Sequence, residues 1–164
     1  MLHDYIGRTI GCACLLLILL LPLSGCHQRS GVGEYYTFAQ PAGGVWPSRS
    51  IYRFDLLFPA RTTSYDGEVI LRMDSRLDRP KARVEVRLSQ EGELLRRDTL
   101  QAYFASEVGA WKRPGAMYHE FVYPLARSLQ APYAGLFSLE VRLLDTLPLR
   151  GVAAIGLHTT ERHP

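Results

Sequence analysis

Apolar and polar residues alternate strictly over two long stretches of the chain. From Lys81 to Leu88, Ala82, Val84, Val86 and Leu88 share one parity, and Lys81, Arg83, Glu85 and Arg87 share the other. A period of two sends successive side chains to opposite faces of an extended strand, so this segment is a half-buried strand with a solvated face. Residues 136–143 repeat the pattern, with Phe137, Leu139, Val141 and Leu143 set against Ser138, Glu140 and Arg142. Residues 151–157 (GVAAIGL) are apolar on both parities, which predicts a central strand. Ser89–Gly92 is a turn signal in which Gly92 can supply a positive φ, and residues 93–100 follow as the partner strand. Weaker strand patterns cover Tyr35–Phe38, Ile51–Leu57, Glu68–Asp74 and Tyr118–Tyr123. Helical periodicity is poor, with room for a short helical turn only at 101–110 or 124–130. Fourteen glycines and ten prolines punctuate the chain at intervals suited to short strands. The pattern predicts an all-β fold, a single antiparallel β-sandwich of jelly-roll or immunoglobulin type with about eight strands.

One segment departs from it. An apolar run extends from Ile10 to Leu23, interrupted only by Gly11 and Pro22, behind a short polar start that carries Arg8 and Asp4. The run is shorter than the roughly 18–20 residues that span a bilayer as a helix, and it fits the core of a secretory signal helix. It ends in Leu23-Ser24-Gly25-Cys26. This resembles the bacterial lipoprotein signal, the lipobox, in which a small residue precedes a cysteine that is acylated and becomes the new N-terminus. The expected organisation is a signal peptide at 1–25, a lipidated tether at 26–33 (CHQRSGVG), a sandwich domain at 34–160 and a tail at 161–164.

This processing changes the cysteine count. Of the three cysteines, Cys12 and Cys14 lie inside the apolar run and leave with it, and Cys26 carries lipid. The mature chain then has no disulfide, thiolate metal site or cysteine nucleophile, so its core alone must hold it. With 47% hydrophobic and 21% charged residues, the chain can offset the entropy of ordering. The net charge is +3, and 17 of the 19 basic residues are arginines. They are scattered among acids, most densely at Arg72–Arg87 with Asp74, Asp78 and Glu85, so no one-signed nucleic-acid footprint is expected.

Candidate chemistry is sparse. His27 and His163 fall in the tether and the tail. His119 neighbours Glu120 in a strand, where the two side chains face opposite ways. His158 falls at a strand end and reads as a rim residue. Asp74 and Asp78 flank Arg76 in a loop that lacks the alternating oxygen ligands and central glycine of a calcium site. No nucleophile elbow, P-loop or His-Glu-x-x-His motif occurs. Trp46 and Trp111 lie near Gly and Pro. They are candidates either for plugging the ends of the core or for stacking on sugar rings in a glycan-binding lipoprotein. The residues predict no enzyme, no metal and no cofactor apart from covalent diacylglycerol and acyl lipid on Cys26.

The landmarks, in order, are the lipobox, Trp46, the strand Ile51–Phe58, Tyr65 before Leu71-Arg72, Asp98-Thr99-Leu100, Gly109-x-Trp111, Leu149-Arg150-Gly151-Val152 and Ile155-Gly156-Leu157. Together they resemble the gliding-motility lipoprotein GldH family of Bacteroidota over about residues 34–160, as a divergent member. The family's usual Tyr-Pro-x-x-Asn-Leu tract is replaced here by Asp78-Arg79-Pro80-Lys81. The resemblance implies a non-enzymatic lipoprotein, a component or assembly factor of the gliding machinery and of related secretion, whose partners are other envelope proteins. His27 after the lipidated cysteine, with no acidic run, places it by analogy at the outer membrane facing the periplasm.

Overall fold

Each alternating stretch forms a strand, and the apolar parities turn toward one another. The computed structural model describes residues 33–105 and 117–162. The expected signal segment with Leu23, Ser24, Gly25 and Cys26, the expected tether up to residue 32, Trp111 and residues 163–164 lie outside the described residues.

The strands are β1 (Glu34–Ala39), β2 (Val45–Trp46), β3 (Ile51–Phe58), β4 (Ser64–Met73), β5 (Lys81–Gln90), β6 (Glu93–Tyr103), β7 (His119–Pro124), β8 (Leu129–Gln130), β9 (Gly135–Leu143), β10 (Leu149–Arg150) and β11 (Val152–Glu161). Eight are long and sit where the pattern predicts them. The other three, β2, β8 and β10, are two-residue pieces too short to show a period. The predicted helical turns do not form among the described residues. Residues 101–103 finish β6 and 129–130 make β8, because both are drawn into sheet pairing. The described helical structure is a 3-10 turn at Ala42–Gly44.

All pairings are antiparallel, and they nest. β1 pairs β11, β3 pairs β9, β4 pairs β7 and β5 pairs β6. The first four long strands therefore pair with the last four in reverse order, so the chain is one long hairpin. Its tip is Glu91-Gly92, with φ of 48° and 88°, the double positive φ of a tight two-residue turn. Cross-pairings of β11 with β4 and of β9 with β5 roll the hairpin into two sheets, β1-β11-β4-β7 with β8, and β3-β9-β5-β6. This is a jelly-roll arrangement. A small ribbon of β2 and β10 closes one end. Glu161 still belongs to β11, and the Arg162 amide donates to the Ser64 carbonyl, so the sandwich runs slightly past residue 160.

The inner faces make one core that includes Val84, Val86, Leu88, Leu139, Val141, Val69, Leu71, Ile155 and Leu157. At about 1.5–3 kcal/mol for each fully buried large side chain, such a core can order a domain without disulfides. Aromatic side chains plug its ends. Trp46 is fully buried beside Tyr52 at one end. At the other end Phe58 packs edge-on against Tyr65 and Phe137, and the Tyr65 hydroxyl donates to the Leu57 carbonyl of the opposite sheet. Gly33 and Glu161 also meet at that end, since the Glu161 amide donates to the Gly33 carbonyl.

The outer face of β5 departs from its expected solvation. Glu85 points outward yet is only 6% exposed. Arg97, Arg87 and Arg142 fold over it, at 3.3, 3.7 and 4.0 Å. Their long apolar stems cover the carboxylate while their charges offset its burial.

Candidate functional site

Trp46 takes the core-plugging role of the two open to it and not the stacking one. Its ring is 0% exposed, and its indole N–H donates to the Ser50 carbonyl at 3.4 Å. It offers no face to a sugar. A two-residue strand pairing Trp46 with Leu149 turns the indole into the core. Trp111 and Cys26, the expected lipid attachment residue, are outside the described residues. The loop after β4 holds its own charges. Arg76 grips Asp74 at 2.6 Å and donates to the Gly43 carbonyl, and Arg79 pairs with Asp78. Hydrogen bonds from Arg76 hold the Asp74 carboxyl below its ordinary range. His119 and Glu120 diverge as strand geometry requires, with Glu120 turned outward to Arg72 at 2.8 Å.

A constructed surface lies on the outer face of the sheet β1-β11-β4-β7. Register sets its rows. Phe38, Gly156, Ile70 and Val122 lie side by side on four adjacent strands, and Tyr36, His158, Glu68 and Pro124 form the next row. The Phe38 ring lies flat over Gly156, where a Cβ would come within 2.4 Å of it. Only glycine leaves that space, and on the neighbouring strand Ile70 is 2% exposed although it faces outward. The Arg72 guanidinium stacks over Phe38 at 3.9 Å and reaches the Tyr118 ring at 5.4 Å. Tyr36, Tyr118 and Val122 stay about half exposed around this platform. Exposed tyrosines around a fixed arginine are the side chains that anchor protein contacts, because they bury large area at small entropic cost.

His158 occupies the edge of the same face. Its Nδ1 lies 2.9 Å from a Glu68 carboxylate oxygen and its Nε2 lies 2.9 Å from one of Glu34. Carboxylates only accept, so both ring nitrogens must carry protons, and the arrangement suits imidazolium. The Glu68 hydrogen bond is the largest influence raising this imidazole above its ordinary value of 6.5, with Glu34 adding to it against partial desolvation. Tyr36 and Thr160 complete the surroundings. A raised folded value means that the stabilisation is fully present below the unfolded value and fades as pH rises through the folded one. The unfolding midpoint should therefore fall on the alkaline side of about pH 6.5, and His158→Gln should flatten that slope. Identical pH profiles for the two proteins would remove the contact from the stability account.

A cleft opens at the Gly33–Glu161 end, between the start of β6 and the chain joining β7 to β8. It encloses about 1240 Å³ and is lined by Arg96, Arg97, Arg127 and Arg162 with Asp66 and Asp98. Arg96 braces it. One of its nitrogens donates to the Ser128 carbonyl at 2.6 Å, and another donates to the Arg127 carbonyl and pairs with Asp98 at 2.7 Å. Ser128 donates to Asp66, and Arg162 donates to the Ser128 hydroxyl at 3.0 Å. Arg127 is exposed and pairs with no described acid.

The sequence pattern identified neither surface. The parity of Tyr36 and Phe38 was legible, but their neighbours come from strands far apart in the chain. The cleft arginines come from β6, the β7–β8 connection and the C-terminal end, and no motif joins them. No protein-family model matches this chain, and no curated protein sequence matches it.

Proposed function

We propose that this chain is a lipid-anchored, non-enzymatic assembly module of the bacterial cell envelope, tethered through Cys26 and docking another envelope protein on its Tyr36–Phe38–Arg72–Tyr118 face. The reading includes its similarity to the GldH family, and with it a role in gliding machinery or related secretion at the outer membrane. The observation that carries it is the stacked Phe38–Arg72–Tyr118 arrangement on a solvent-facing sheet, supported by the lipobox and by the order of landmarks along the chain. A fixed cation between aromatic rings, ringed by half-exposed tyrosines, suits a desolvated protein contact. Glycan stacking fits less well. Tyr36 stands at 82° to Phe38, whereas a sugar stacks on a flat, open ring, and Trp46 is buried.

Crosslinking and pull-down of the native lipoprotein from its own envelope tests the reading. The wild type should retain discrete envelope proteins, and Tyr118→Ala with Tyr36→Ala should reduce their recovery at least tenfold, a loss of about 1.4 kcal/mol or more. Undiminished recovery would move the docking face elsewhere. Cys26→Ala should accumulate as an unprocessed, unacylated precursor, and normal processing of that variant would refute the anchor.

A further inference from the structure

The arginine cleft lies at the end of the sandwich where the chain arrives from its anchor. Gly33 is bonded to Glu161, and Arg162 follows directly. Residues 26–33 reach no more than roughly 25 Å even fully extended, so lipid on Cys26 holds this end, and not the β2–β10 end, near the bilayer surface. Arg127 presents a guanidinium with no acidic partner among the described residues. Arg162 is 63% exposed on its side chain and sits only loosely, at 3.6 Å, on Asp66. Arg97 is 54% exposed on its side chain but is held by Glu85 at 3.3 Å on the outer face of the sheet. Arg96, by contrast, is committed to Asp98 and two carbonyls, and it fixes the wall that carries Arg127. Apolar Leu95, Leu125 and Pro132 line the same cleft. Planar guanidinium forks match phosphate oxygens, and apolar walls match the glycerol and upper acyl segments of a phospholipid.

We infer that this cleft binds the anionic phosphate headgroup of a phospholipid in the membrane that holds the anchor, so that the sandwich docks on the bilayer through Arg127 and Arg162. The inference rests on the anchor part of the function proposed above. Docking fixes the orientation of the domain. The tether end sits on the membrane, while the Tyr36–Tyr118 sheet face stands roughly upright and remains open to a partner.

The test uses the mature lipoprotein, its acylation on Cys26 verified by mass, in nanodiscs of equal parts phosphatidylglycerol and phosphatidylcholine or of phosphatidylcholine alone. Amide hydrogen exchange is followed over residues 94–98 and 125–130. Exchange there should slow in the anionic discs only. The protection should fall about fivefold for each of Arg127→Glu and Arg162→Glu, and largely vanish in high salt. Arg150→Glu, on β10 at the opposite end of the sandwich, should leave it unchanged. Equal exchange in both discs, or an equal loss with Arg150→Glu, overturns the inference. Protection in phosphatidylcholine discs on adding free glycerol phosphate would overturn the bilayer as the source of the phosphate. The same protection from an acidic peptide, without response to anionic lipid, would make the cleft a protein site and also overturn it. Absence of acyl chains on Cys26 would count against the anchor instead, and mass alone decides that.

Discussion

Trp46→Ala should unfold at a temperature on the order of 10–20 °C below the wild type, from a loss of about 3–5 kcal/mol. The indole is completely buried at the β2–β10 end of the sandwich, edge-on to Tyr52 at 5.9 Å between ring centroids. Its removal leaves a cavity that its neighbours are poorly able to fill. β2 is only two residues long and pairs with an equally short β10, so little backbone hydrogen bonding remains to hold that corner once the side chain is gone. Partner recovery at subdenaturing temperature should be unaffected, because the Tyr36–Tyr118 face lies on a different surface. Calorimetry alongside pull-down separates the two effects. A Trp46→Ala protein with an unchanged melting temperature and weakened glycan binding would restore the stacking role that burial argues against.

Gly151→Ala should cost about 4 kcal/mol, well above an ordinary surface change. Gly151 has φ of 78°, and a Cβ there would meet the Leu77 nitrogen at 2.3 Å and the Arg76 carbonyl carbon at 2.7 Å. The left-handed conformation accounts for about 1–2 kcal/mol of this. The larger share is the collision, which involves main chain and not a side chain that could swing aside. Relief would push the 74–77 loop outward, break the Asp74 amide bond to the Gly151 carbonyl (2.7 Å) and expose Leu77, now 3% exposed. Gly43→Ala is the matched control. It has φ of 63°, but a Cβ added there would meet nothing within 4 Å, so only the conformational cost of about 1 kcal/mol should appear. Chemical denaturation of the two variants measures the difference. Equal losses would show that backbone conformation alone matters at Gly151.

Gly151 also illustrates what a linear reading can hold. Leu149-Arg150-Gly151-Val152 stood out as a landmark, but nothing local explains why its third residue must be glycine. The reason is a loop more than seventy positions earlier in the chain that crosses directly over it. Gly156 repeats the lesson, since it looks like an ordinary apolar position of a central strand until Phe38 is laid across it. Glu85 is a third case. Its outward parity was read from the alternation, but its burial depends on arginines from β5, β6 and β9 that only pairing brings together.

The sequence by itself determined the strands, because the period of two is written into each of them and does not depend on partners. It also determined the sharp turn at Glu91-Gly92, through glycine's tolerance of positive φ. Tertiary structure alone decided the nesting of the strands into a roll and the fate of each aromatic ring. It also decided the two surfaces, the stacked face around Arg72 and the arginine cleft at the Gly33–Glu161 end. Each of these is a juxtaposition of residues from distant strands, and the register that produces it follows from how the whole core packs, which no single segment encodes.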